Sequence, residues 1–202
     1  MANIAAIRSV GTSLASYLND AYRETDFPPS VSKPSCTFSL TSIGGIRADS
    51  VITTDTSVQV LIFLYRVSIN HHLRNAGRLT DPGMRPVPLS VDLHYLMSFW
   101  AESGENEQLA LAWTMRQLHT VPVLDSSILS REAAWAAEDL VQLIPAEIST
   151  EELMRIWDTL EPNYRVSLSY IARVVRIDAD QTHDERQVVA TRFNYAVPAP
   201  RE

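Results

Sequence analysis

The chain carries five histidines, at positions 71, 72, 94, 119 and 183. His71 and His72 are adjacent, so a regular strand would aim them at opposite faces, and no HExxH or HxH spacing or cysteine partner completes a metal site. Cys36 is the single cysteine. It excludes an internal disulfide, a zinc-thiolate cluster and a CxxC redox pair. Asp92 and His94 lie two residues apart, on one face of a predicted strand, where a catalytic base and its carboxylate could sit. No GxSxG nucleophile elbow accompanies them, so two ordinary cross-face residues, or an interface polar pair, are expected instead. Gly44-Gly45 in SIGGIR lacks the further glycine, Lys and Ser/Thr of a phosphate cradle and reads as a turn. Glu151 and Glu152 are accounted for by a helix start. The residues therefore predict no catalytic group, no metal site and no cofactor.

The elements that would hold these residues are legible from periodicity. Ile4, Ile7, Val10, Leu14, Leu18 and Tyr22 recur at three- and four-residue steps and predict an opening helix that ends before Phe27-Pro28-Pro29. Cys36 to Leu40 alternates in period two. Ser57 to Ile69 is a long β-rich run with Val58, Val60, Ile62 and Leu64 on one side and Leu61, Phe63, Tyr65 and Val67 on the other, which predicts a strand covered on both faces. Residues 86–95 alternate again, with Leu89, Val91, Leu93 and Tyr95 inward. A helix fits Asn106 to His119, with Leu111, Met115 and Leu118 as its buried line and Trp113 broadening it, and Pro122 bars its continuation. Residues 137–148 read as a short strand or extended segment. Ser149-Thr-Glu-Glu152 is a capping box that opens a helix through Leu160. Ser167 to Ile177 is a further strand, with Leu168, Tyr170, Ala172 and Val174 sharing a face. The four tryptophans, at 100, 113, 135 and 157, are assigned to core packing, Trp135 being the one expected at an exposed contact.

Interspersed helices and half-polar strands predict an α+β fold, a mostly antiparallel sheet flanked by helices. The core is expected over residues 1–178, with 179–202 as a C-terminal arm. Two segments are candidates for contact with another protein. The first is Asn70 to Pro86, a connection far longer than the 2–5 residues usual in hairpins, in which Arg74, Arg78 and Arg85 face a single acid, Asp81. Together with His71 and His72 it is read either as a solvated loop or as a contact surface for an acidic partner. The second is Gln187 to Val197 in the arm. It alternates enough for a strand, with Val189, Phe193 and Tyr195 along one edge. It either completes the domain's own sheet or adds to a neighbour's.

Composition narrows the partners. With 202 residues, 46% of them hydrophobic, one domain with an ordinary core is expected. A formal charge of −7 disfavours nucleic acid and anionic lipid. Sixteen of the 17 basic residues are Arg, Lys33 being the exception, a bias that fits either a protein interface or a GC-rich genome. No small-molecule substrate is expected. No membrane insertion is expected either, because the longest apolar run, Val58 to Tyr65, is far below the ~20 residues of a spanning helix. MANIAAIRSV lacks the features of a signal peptide, so cytoplasmic synthesis and assembly are expected.

Five motifs in order, LYRVSINHHLRN (64–75), PLSVDLHYLMSFWA (88–101), ENEQLALAWTMRQLHTVPVL (105–124), ISTEELMRIWDTL (148–160) and YRVSLSYIARVVRI (164–177), resemble the cap, or tail-terminator, family of phage-tail-like contractile injection systems. The resemblance covers about residues 3–178. It implies a fold like that of phage tail terminators and no catalytic residues. It also implies a structural role: a homo-hexameric ring that ends the inner tube and the contractile sheath at the end away from the baseplate, with tube and sheath subunits as partners and possible release within an extracellular particle. Two other readings compete with it, a monomeric assembly adaptor or chaperone of the same particle and an uncharacterised hydrolase.

Overall fold

A computed structural model of the chain describes residues 2–46, 56–70, 72–73, 88–160 and 163–178. Within them lie three helices, α1 (Ala6–Glu24), α2 (Gly104–Thr120) and α3 (Thr150–Asp158), and six strands. The strands are β1 (Ser35–Thr41), β2 (Ser57–Ile69), β3 (Leu89–Trp100), β4 (Val123–Leu124), β5 (Val141–Pro145) and β6 (Ser167–Ile177). They form one sheet in the order β1-β2-β3-β6-β5-β4, with β1 and β2 parallel and every other pair antiparallel. The α+β expectation, with a mostly antiparallel sheet, is met. β2 and β6 have the predicted ends.

One face of the sheet carries the main core. Val58, Val60 and Ile62 of β2, Val91, Leu93, Tyr95, Met97 and Phe99 of β3, and Tyr170, Ala172 and Val175 of β6 pack there against Val10, Leu14 and Leu18 of α1 and Trp113 and Leu118 of α2. Leucine, valine and aromatic side chains of this size contribute about 1.5–3 kcal/mol each on full burial. The opposite face carries a smaller cluster beneath α3, in which Leu61, Trp100, Trp157, Leu160 and Ile46 meet. The prediction that β2 is covered on both faces therefore holds over its first half. The capping box is realised: Ser149 Oγ accepts the Glu152 N–H at 3.1 Å. Gly44 and Gly45 lie in a 3-10 turn over Ile43–Gly45, as their spacing predicted.

Several expectations need correction. Ile4 is 78% exposed and lies outside the α1 stripe, because the helix begins only at Ala6. On α2 Trp113 and Leu118 are buried as expected, but Met115 is exposed and Ala110 and Thr114 complete the buried line, with Leu111 partly buried beside it. Trp135 is no exposed contact: it packs against the main core and donates its indole N–H to Ser9 Oγ at 2.9 Å. Two bulges shift the strand phase. In β2, Leu64 pairs with Tyr95 and Arg66 with His94, leaving Tyr65 as the extra residue. That moves Val67 onto the core-side face, opposite Leu93. In β6, Ala172 pairs with Leu93 and Val175 with Val91, so Arg173 and Val174 together oppose Asp92, and Val175 takes the core position predicted for Val174. The two-residue β4 carried no period and was not foreseen.

Candidate functional site

The two bulges flank β3 on either side of Asp92 and His94, and a bulge re-aims the side chains around it. Here they gather polar groups from three strands on the sheet face opposite the main core. Asp92 is buried, and its carboxylate is fully engaged. Asn70 Nδ2 donates to Oδ1 at 3.0 Å and to Oδ2 at 3.2 Å. Arg173 Nε and Nη2 each reach Oδ2 at 3.1 Å. A buried carboxylate is tolerable only with such charge-assisted partners. The bulge in β6 supplies one of them.

Asn70, also buried, turns its other side-chain atom outward: Oδ1 accepts the backbone N–H of His72 at 3.1 Å and of Leu73 at 3.2 Å. This Asx-type turn fixes the direction in which the chain leaves β2 and enters the long connection to β3. Arg173, Asp92 and Asn70 thus form a relay from β6 through β3 to the first residues of that connection. Of the predicted contact residues, His72 sits at this anchored base with an exposed side chain. His71, Arg74, Arg78 and Arg85, and Val189, Phe193 and Tyr195 of the arm, lie outside the described residues.

His94 does not join Asp92. Its Nε2 meets Ser68 Oγ at 2.9 Å, and the Tyr65 ring stands edge-on 5.9 Å away, with Tyr65 Oη bonded to Ser169 Oγ at 3.1 Å. A Ser-His pair of this kind needs a carboxylate on the second ring nitrogen to act as a nucleophile and its base. Asp92, which shares that face of β3, is committed to Asn70 and Arg173. Burial is the main cause that lowers the His94 pKa, with the Arg66 and Arg173 cations adding to it against Asp92 and Glu152. Arg173 also lines a cleft of about 360 Å³ with Val123, Glu138, Gln142 and Arg176, whose walls carry both signs of charge. Among the described residues no group of three or more His, Cys, Asp or Glu is placed to hold a metal ion.

Sequence reasoning singled out Asp92 and His94 but not Asn70, Arg173, Ser68 or Tyr65. Asn70 and Arg173 stand 22 and 81 residues from Asp92, and only strand pairing brings them together. No local spacing signals such a cluster.

The fold and this cluster define an α+β sheet protein in which a buried carboxylate anchors a long inter-strand connection. A family model described as the Pvc16 N-terminal domain matches residues 9–191, and the chain belongs to that family. Among solved structures, the PVC sheath/tube terminator of an extracellular contractile injection system, in its extended state, aligns with a TM-score of 0.53 and 17% identity over 96% of this chain. The tube-terminating cap of the anti-feeding prophage aligns with a TM-score of 0.48 and 14% identity over 92% of this chain. The chain spans 64% and 60% of the length of those two proteins. No curated protein matches it. Among the described residues no helix is long and apolar enough to cross a membrane.

Proposed function

We propose that this chain is a structural cap that terminates the tube and contractile sheath of a phage-tail-like injection particle, at the end distal to the baseplate. The observation that carries the reading is the fold shared with a sheath/tube terminator over 96% of the chain, within a family whose model spans residues 9–191. The cap assembles as a homo-hexameric ring on the tube, uses no cofactor and has no catalytic role. A closed ring suits a heterologous contact, which otherwise polymerises without end. Assembly takes place in the cytoplasm, and the cap leaves the cell only as part of a released particle.

The connection anchored by Asn70 supplies the contact surface, with Arg74, Arg78 and Arg85 meeting acidic surface on a neighbouring or partner subunit. Residues 101–202 carry 9 basic and 17 acidic side chains, so a second copy offers a suitable acidic region. Exposed charge pairs are screened by salt, so association should weaken as ionic strength rises. Replacing all three arginines with Gln should leave the fold intact and abolish the salt dependence of assembly. Native mass spectrometry and electron microscopy of the purified protein, alone and with tube subunits, test the whole reading. Six-membered rings or capped tube ends are expected, and monomers in both preparations would overturn it in favour of an adaptor.

A further inference from the structure

Both ends of the sheet are blunted against a further strand. At one, the edge strand β4 is only Val123–Leu124. At the other, an amide from α1 covers β1: Asn19 Nδ2 donates to the Phe38 carbonyl at 2.7 Å, and Asn19 Oδ1 accepts the Phe38 N–H at 2.9 Å. Guarded edges of this kind discourage pairing between chains. Contact between copies is then favoured through side chains.

One end of α1 offers a knob. Ile4 is 78% exposed, the most exposed large apolar side chain among the described residues. A single exposed aliphatic residue is ordinary, but this one is held in a pinned turn. Asn3 donates its backbone N–H to the Ala133 carbonyl at 2.9 Å and its Nδ2 to the Glu132 carbonyl at 3.1 Å, and Asn3 Oδ1 accepts the Ala5 N–H at 2.8 Å. At the same end of the molecule, Arg8 and Glu132 form an exposed ion pair.

The other end of α1 offers a hole. The helix has 19 residues, about 28 Å at 1.5 Å per residue, so the two features face opposite ways along its axis. Beyond its last turn, Phe27 and the Leu109, Ala112 and Trp113 stripe of α2 line a groove of about 280 Å³. Its floor is preformed: the Trp113 ring stands edge-on to Tyr22 at 4.8 Å and donates its indole N–H to Thr25 Oγ1 at 3.2 Å. Asp26 and Arg116 also line the groove, and among the described residues neither has an ion-pair partner. An apolar hole with one acid and one base at its margin complements an apolar knob beside one base and one acid.

We propose that Ile4 of one copy seats in the Phe27–Trp113 groove of the next, with Arg8 turned to Asp26 and Glu132 to Arg116 across the contact. The surfaces differ and lie at opposite ends of α1, so the contact is heterologous and repeats head to tail. This deepens the cap reading, on which it rests for the closure of that repeat into a ring.

Two full-length variants test it. Ile4→Asp removes the knob and keeps the groove. Ala112→Glu keeps the knob and fills the groove, where the new carboxylate pairs with Arg116 one turn on. Both positions are exposed, and thermal midpoints within a few degrees of the unsubstituted chain establish that both fold; Ile4→Ser and Ala112→Gln replace any that does not. By sedimentation equilibrium the unsubstituted chain should build beyond the dimer. Each variant alone should associate at least about ten-fold more weakly, the loss expected for one buried aliphatic anchor. An equimolar mixture of the two should recover the original affinity yet stop at a 1:1 dimer, because only one sound knob and one sound groove remain. A mixture no tighter than its components would overturn the proposal, as would full association by either variant alone or an unsubstituted chain that stays monomeric up to about 1 mM. Open chains, or rings of another number, that both variants abolish would keep the contact and overturn the six-fold ring. Six-fold rings that both variants still form would do the reverse.

Discussion

At the scale of single residues, Asp92 is the side chain on which most depends. Its carboxylate satisfies Asn70 and Arg173 together, and removing it leaves a buried amide and a half-buried cation without their acceptor. Asp92→Ala should cost roughly 2–4 kcal/mol, measured by urea unfolding, and should speed amide exchange at His72 and Leu73. Asp92→Asn, which keeps the shape and loses the charge, should cost less. His94 makes stability depend on pH with a definite sign. Its folded pKa lies below the ordinary value of 6.5, first because the ring is buried and next because Arg66 and Arg173 are near, so the unfolded chain binds the proton more readily. Its contribution is complete above pH 6.5 and is lost as pH falls below that value toward the folded pKa. His94→Gln should flatten the decline of the urea midpoint between pH 7 and pH 5. Cys36 has its thiol pushed up to about 12 by burial. Its alkylation at neutral pH should be at least about a hundred-fold slower in the folded protein than in urea, since the thiolate is the reactive species.

At the scale of elements, α3 and β1 each depend on one short polar device. The Ser149 cap on Glu152 satisfies an N–H that nine helical residues cannot satisfy internally. Ser149→Ala should cost about 1 kcal/mol and loosen α3 over the Trp100 and Trp157 cluster, visible as a change in tryptophan fluorescence. Trp157 itself is buried, and among the described residues its indole N–H has no partner. Trp157→Phe keeps an aromatic ring against Trp100 and Tyr164 and discards that donor, so its thermal midpoint should change by only a few degrees. On β1, Asn19→Leu should expose the Phe38 backbone edge and raise the tendency to associate, seen by light scattering on mild heating.

At the scale of the whole molecule, the sheet separates two tasks. Its helix-covered face holds the large core and sets stability, while the other face carries a small aromatic cluster at one end and the Asp92 relay at the other. The relay sits where the long connection begins, so a rigid scaffold directs a segment whose composition suits contact with acidic surface. If that surface mediates assembly, Arg173→Gln should weaken the association of full-length protein several-fold, read by analytical ultracentrifugation at low salt. Arg173 would act there by positioning, through Asp92 and Asn70.

The sequence by itself determined the elements whose signal is local. Period-two runs defined β2 and β6 to the residue, Ser149 and Glu152 announced α3, and the order of five motifs pointed to the family that the chain belongs to. These follow from backbone geometry and capping, which act over a few residues. Tertiary structure alone decided the rest. The extra residues at Tyr65 and in Arg173-Val174 are invisible in a single strand, because a bulge exists only relative to the neighbour it mismatches. They moved Val67 and Val175 to the core side and brought Arg173 to Asp92. Asn19 likewise reads as an ordinary helix residue until its amide is found on the edge of β1. Hydrogen bonds between residues distant in sequence leave no periodic trace, so the anchored connection and the guarded edge emerge only once the strands are paired.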